Sequence, residues 1–130
     1  MPKVSTIAID GPAASGKTVV GRALAKQLKF RFLDTGLMYR AMTLSALRGH
    51  IPPSDGPALT KLATESTINV IDSPSNTKVL LQNQDVTDQL HTSAVEEAVS
   101  QVSAIVGVRA ALVARQRQIA APGSIVMVGR

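Results

Sequence analysis

Gly11-Pro12-Ala13-Ala14-Ser15-Gly16-Lys17-Thr18 decides the fold. It matches G-x-x-x-x-G-K-[ST] without a gap. Small residues let successive backbone N–H groups point into one concavity, where phosphate oxygens are bound. A helix beginning near Gly16 adds the positive end of its dipole. Lys17 can reach β- and γ-phosphates, and the Thr18 hydroxyl can contact Mg2+. The flanks have the form such a loop needs. Residues 3–10, KVSTIAID, read as a short buried strand that Gly11-Pro12 stops, with Asp10 close to the phosphates. From Gly16 onward Val20, Ala23, Leu24 and Leu28 recur at helical spacing. The loop by itself does not separate kinases from GTPases or motor ATPases.

Working outward, residues 30–33 read as a second strand ending at Asp34, followed by a helix over 35–48 with Gly49 as its stop. Strand and helix alternate twice, the pattern of a parallel α/β sheet. The segment 51–57 is a loop by composition, and a short helix over 58–65 follows. Residues 67–71, 78–81 and 84–87 read as strands of a small antiparallel insertion. Ser93 and Glu96 fit a capping box, and Val95, Ala98, Val99, Val102 and Ile105 form an apolar stripe behind it. Gly107 is expected to break this helix from the next, whose stripe is Val108, Ala111, Leu112 and Ile119. Pro122-Gly123 ends that helix, and residues 124–128 form a third core strand.

Composition narrows the chemistry. The chain has 130 residues, 45% of them hydrophobic, which is enough for one domain with a core. It has no Cys, so disulfides, thiol catalysis and Cys-ligated zinc are excluded. No apolar run is long enough to span a membrane, and the N-terminus is no secretory signal. The expected compartment is the cytoplasm. The net charge of +5 hides a pattern: residues 1–48 carry +6, residues 49–97 carry −5 and residues 98–130 carry +4. Two basic ends around an acidic middle fit a small anion better than a nucleic acid. With Phe30, Phe32 and Tyr39 as the whole aromatic set, platforms for stacking bases are scarce.

Leu33-Asp34-Thr35-Gly36-Leu37-Met38-Tyr39-Arg40 closes the second strand. In an open parallel sheet that end faces the same crevice as the phosphate loop. Taken alone, Thr35 reads equally well as a helix cap and Arg40 as a surface residue. Together with the phosphate loop, this block resembles bacterial cytidylate kinase. So do Asp85-Val86-Thr87, Ser100-Gln101-Val102-Ser103-Ala104, Val108-Arg109-Ala110-Ala111-Leu112, Arg115-Gln116-Arg117 and Gly129-Arg130. The likeness is collinear from Ile7 to Arg130.

The resemblance implies a P-loop nucleoside-monophosphate-kinase fold, α/β, with a parallel sheet, flanking helices and a small antiparallel insertion. It implies transfer of the γ-phosphoryl group of ATP to CMP or dCMP with Mg2+, by a monomer that needs neither nucleic acid nor membrane. Gly11, Pro12, Ala13, Ala14, Ser15, Gly16, Lys17 and Thr18 would hold ATP, and Thr18 the metal. Thr35, Tyr39, Arg40, Ser100, Arg109 and Arg130 would hold the acceptor, with Lys17 and Arg130 stabilising the transferred group. Arg115 and Arg117 read as solvated helix residues. Residues 1–50 would be core, about 51–105 an insertion for the monophosphate, and about 106–130 a return to the core.

The chain departs from the family pattern in three places. Ala14 stands where Gly is frequent, His91 where Arg is usual, and Val128 where an acidic residue is usual. The family adds two more core strands and an arginine-bearing lid, so this chain is expected to be the N-terminal portion of such a domain, with an incomplete sheet and weak activity alone. The alternatives are a non-catalytic nucleotide-binding module and a kinase for UMP or AMP.

Overall fold

The computed structural model describes residues 6–11, 16–73 and 76–129. Three parallel strands form the first sheet: β1 (Thr6–Asp10), β2 (Arg31–Asp34) and β6 (Ile125–Gly129), in the order β1-β6-β2. The continuous apolar run of β6 suits a strand covered on both faces. Its side chains alternate accordingly. Ile125 belongs to a large core cluster with Leu33, Met38, Met42 and Leu112, whereas Val126 and Val128 belong to a smaller one with Ala25 and Phe32. The expected α/β class, with a parallel sheet, flanking helices and an antiparallel insertion, is the one observed. Residues 3–5 of the first expected strand lie outside the described residues.

Helix α1 (Lys17–Leu28) covers the smaller cluster, but not with the expected face. Gly21 and Ala25 are buried, Leu24 is partly buried, and Val20 and Leu28 are 59% and 42% exposed. The reason is distance. A Cβ on Gly21 would lie 2.5 Å from Val128 Cγ1 and 3.1 Å from Phe32 Cε1. The helix sits so close to β6 that only a glycine fits there, and close approach selects for size rather than hydrophobicity. Hydrophobic periodicity therefore pointed to the wrong stripe.

Helix α2 (Thr35–Arg48) runs directly from β2 and buries Met38, Ala41, Met42, Leu44 and Ala46. Thr43, buried on the same helix, satisfies its hydroxyl by donating to the Tyr39 carbonyl at 2.8 Å. Helix α3 (Gly56–Glu65) is capped by Asp55, whose carboxylate accepts from Ala58 N at 3.2 Å. Strands β3 (Ile68–Ser73), β4 (Asn76–Leu81) and β5 (Gln84–Asp85) make the antiparallel sheet, with Ile68 opposite Leu81 and Val70 opposite Val79. The end of the third expected strand is instead a 3-10 turn, Thr87–Gln89.

Helices α4 (Ser93–Ser103) and α5 (Val106–Ala120) follow. Two expectations fail here. The cap of α4 is Thr92, not Ser93: its hydroxyl accepts from Val95 N at 3.4 Å, and Glu96 turns away to Arg40. The break between the helices falls at Ala104 and Ile105, while Gly107 lies inside α5. A Cβ at Gly107 would overlap Thr60, so this glycine serves the packing of α5 on α3. Among the described residues no single helix is long and apolar enough to cross a membrane.

The two readings of α1 can be separated by mutation. Gly21→Val is expected to destabilise the chain by about 1–3 kcal/mol through overpacking. Val20→Ser is expected to stay within about 0.5 kcal/mol of the parent. Urea unfolding midpoints measure both, and the opposite ranking would place the buried stripe on Val20.

Candidate active site at the carboxyl ends of the parallel strands

Parallel pairing brings three strand ends into line. Asp10 is in register with Gly129, and Asp34 with Val128. Gly11 N donates to the Gly129 carbonyl at 3.2 Å, so the phosphate loop leaves the sheet beside the end of β6. Pro12, Ala13, Ala14 and Ser15 lie outside the described residues, as does Arg130. Gly16 has φ +79°, the left-handed region that glycine enters without strain, and it caps the N-terminus of α1. Lys17 and Thr18 are the first two residues of that helix, where its dipole favours an anion.

The second strand meets this helix start through a side chain. Thr18 Oγ1 lies 3.5 Å from Asp34 Oδ2. The other Asp34 oxygen accepts from Gly36 N at 3.0 Å, so Asp34, not Thr35, caps α2. Thr35 is thereby released for another task. Its hydroxyl donates to the Val128 carbonyl at 2.8 Å, across the end of β6. A Cβ on Gly129 would overlap that hydroxyl, so the glycine is required by the approach of Thr35. The Val128 side chain itself is buried beneath α1, in the cluster of Ala25 and Phe32.

The remaining expected residues are spread more widely. Tyr39 is partly buried against the large core cluster. Arg40 reaches from α2 to the start of α4. Its Nη1 donates to the Leu90 carbonyl at 3.1 Å and to Glu96 Oε1 at 2.6 Å, and its Nη2 to Glu96 Oε2 at 3.4 Å. This guanidinium, by hydrogen bond and charge, holds the Glu96 carboxyl below its ordinary range, and His91 Nδ1, 3.6 Å away, adds to the effect. Ser100 and Arg109 are exposed on α4 and α5. Among the described residues no side-chain hydrogen bond or ion pair ties either one to the strand-end cluster. Arg115 is no solvated residue. It is partly buried, donates to the Thr64 carbonyl at 3.1 Å, and burial lowers its pKa.

Two of these residues are hard to place from sequence. Asp34 carries a signal, an acid at a strand end before a helix, but Thr35 beside it reads as a cap equally well. Glu96 carries a misleading one, because its spacing from Ser93 fits a capping box.

The family model described as "Cytidylate kinase" matches residues 7–130. The chain belongs to the cytidylate kinase family. It is 44% identical over its whole length to a cytidylate kinase of Pelotomaculum thermopropionicum, covering 58% of that protein. It is 42% identical over 98% of its length to a cytidylate kinase of Halalkalibacterium halodurans, again covering 58%. A bifunctional pantoate ligase/cytidylate kinase of a Synechococcus strain is 45% identical over 95% of the chain, which covers 24% of that larger protein. The chain thus spans somewhat over half the length of the single-function relatives, and the family match includes the phosphate loop, the Asp34-Thr35 strand end and Arg40.

Two measurements probe this geometry. Gly129→Ala is expected to cost about 1 kcal/mol, the usual worth of one hydrogen bond, by displacing the Thr35 hydroxyl from the Val128 carbonyl. In a Thr35→Ala background, which removes the overlapping atom, the same change should cost less, and equal costs in a double-mutant cycle would mean that the two residues are uncoupled. The Glu96 carboxyl, depressed in the folded chain, stabilises it above its ordinary pKa of 4.5, and this is lost as pH falls through the folded value. The difference in urea midpoint between the parent and Glu96→Gln is therefore expected at pH 7 and should shrink as pH falls below 4.5.

Proposed function

We propose that the chain carries the nucleotide-binding machinery of a cytidylate kinase, which transfers the γ-phosphoryl group of ATP to CMP or dCMP in pyrimidine nucleotide metabolism in the cytoplasm. The observation that carries this reading is the junction of the phosphate-loop helix with the second strand. Lys17 and Thr18 open α1, and Thr18 meets Asp34 at 3.5 Å beside the Thr35 hydroxyl. This contact supports a donor cradle beside an acceptor-side strand end, as in-line transfer between two nucleotides demands.

Each group has a task that its chemistry suits. Backbone N–H groups over 13–18 bind phosphate oxygens, and Lys17 spreads charge from the β- and γ-phosphates. Thr35 and Tyr39 flank the acceptor nucleoside, and Arg40 offers a planar fork to the acceptor phosphate. Ser100 reads the base, and Arg109 and Arg130 hold base or phosphate. On this reading residues 1–50 are core with the phosphate loop, about 51–105 an insertion for the monophosphate, and about 106–130 a return to the core. No strong general base is required, because the attacking oxygen of a nucleoside monophosphate is already anionic. Catalysis is then positioning and charge neutralisation.

The oxygens near Thr18 suit Mg2+. Among the described residues no group of three or more acidic or histidine side chains could cage a metal. Mg2+ delivered with ATP needs only one or two protein oxygens and keeps several waters. The Thr18 hydroxyl and the Asp34 carboxylate beside it provide them, with Asp10 at the end of β1, across β6 from Asp34. When bound, the ion would neutralise charge on the transferred phosphates.

Calorimetry with ATP, CMP, UMP and AMP tests the reading on the 130-residue chain. ATP binding that falls at least about tenfold in Lys17→Ala is expected from the loss of a phosphate-binding cation. CMP should bind in preference to UMP and AMP. Unchanged ATP affinity in Lys17→Ala would overturn the cradle. ATP binding with no monophosphate binding would mark a non-catalytic nucleotide module, and preference for UMP or AMP would mark a different kinase.

A further inference from the structure

The Arg40 guanidinium already holds an anion. Glu96 meets it in a two-point contact, Oε1 on Nη1 at 2.6 Å and Oε2 on Nη2 at 3.4 Å. This is the geometry in which a guanidinium receives a carboxylate or a phosphate. The Leu90 carbonyl takes a further donor from Nη1. The fork is half open to water: the Arg40 side chain is 23% exposed and that of Glu96 49%. A ligand phosphate can therefore approach it, but meets a carboxylate in place.

We propose that Glu96 is an internal occupant of the acceptor-phosphate fork, which the phosphate of the incoming nucleoside monophosphate must displace. The proposal rests on Arg40 being the acceptor-phosphate ligand. Two anions cannot share one guanidinium without repulsion, since like charges within a few ångströms disfavour each other. Binding of the phosphate thus requires that the carboxylate swing out or that both sit against like charge. Either course lowers acceptor affinity and leaves the affinity for the uncharged nucleoside unchanged.

The same displacement would be felt across the fold. Arg40 stands on α2, whereas Glu96 stands on α4 just beyond the 3-10 turn. The ion pair therefore ties α4 to the helix that leaves β2. Exchange of Glu96 for a phosphate unties the α4 side of that contact while the Leu90 carbonyl keeps its own. Acceptor binding is coupled in this way to the freedom of α4, which also carries Ser100.

Calorimetric titration of the 130-residue chain with CMP and with cytidine tests this in the parent, Glu96→Gln, Arg40→Gln and the double variant. Glu96→Gln is expected to bind CMP about two- to fivefold more tightly, the scale of a half-exposed ion pair. Cytidine affinity should be unchanged, and the gain should vanish in the Arg40→Gln background. An unchanged or weaker CMP affinity in Glu96→Gln, with Arg40→Gln still losing affinity, overturns the displacement and leaves the site intact. CMP affinity insensitive to Arg40→Gln, or absent throughout, overturns the acceptor site itself. A measurement on the unmutated chain guards against a folding defect. The carboxyl 13C resonance of Glu96 should shift on addition of CMP and stay in place with cytidine, and a resonance indifferent to both would also overturn the displacement.

Discussion

Everything at the candidate site depends on β6 lying between β1 and β2. Its pairing with both strands is parallel, so all three carboxyl ends emerge on one side, and the register sets Asp10 beside Gly129 and Asp34 beside Val128. The strand comes from the far end of the chain. More than half the sequence must be folded between β2 and β6 before that pairing closes, and loop closure is an entropic cost to be met by contacts. Arg31 contributes some of them at the start of β2, donating to the Ile119 carbonyl at 3.0 Å and the Gly123 carbonyl at 2.9 Å. These bonds hold the end of α5 and the turn into β6 against the edge strand. Gly123 and Ser124, at φ +78° and +53°, are both left-handed in that turn.

Close approach recurs as the second constraint, and it explains which features the sequence revealed. The phosphate-loop motif is legible because it is local: glycines, Lys17 and Thr18 sit in fixed order along eight residues, of which the structure describes Gly11 and Gly16 to Thr18. The bounds of α2 were legible because Asp34 and Gly49 flank an uninterrupted apolar pattern. The buried face of α1 was not, because Gly21 is selected by the distance to Val128 and Phe32, which no periodicity encodes. Gly107 misled for the same reason. A glycine reads locally as a breaker, but here it makes room for Thr60 on another helix. Glu96 misled because its local spacing satisfied a cap while its partner, Arg40, lies 56 positions away. Sequence motifs speak for chemistry held within one segment. They are silent about side chains whose partners come from another.

The charge pattern illustrates the difference between carrying charge and having donors to spare. The basic first segment was expected to converge on an anion. Much of it is engaged in holding the chain together: Arg22 stacks on Phe32 at 4.6 Å and reaches Thr77 at 3.2 Å, and Arg48 bonds Gln84 and Gln89. Arg31 and Arg115 bond carbonyls. The oxygens that Arg31, Arg48 and Arg115 meet in these bonds are carbonyl and amide oxygens, which use donors without bringing an opposing charge. Such residues still add to the field that draws phosphates toward the surface, although they cannot grip one. Arg40 is the opposite case. Its partner Glu96 cancels its charge at short range, and the pair contributes little field until the two separate. A net charge of +5 counts both kinds of residue alike and does not distinguish them.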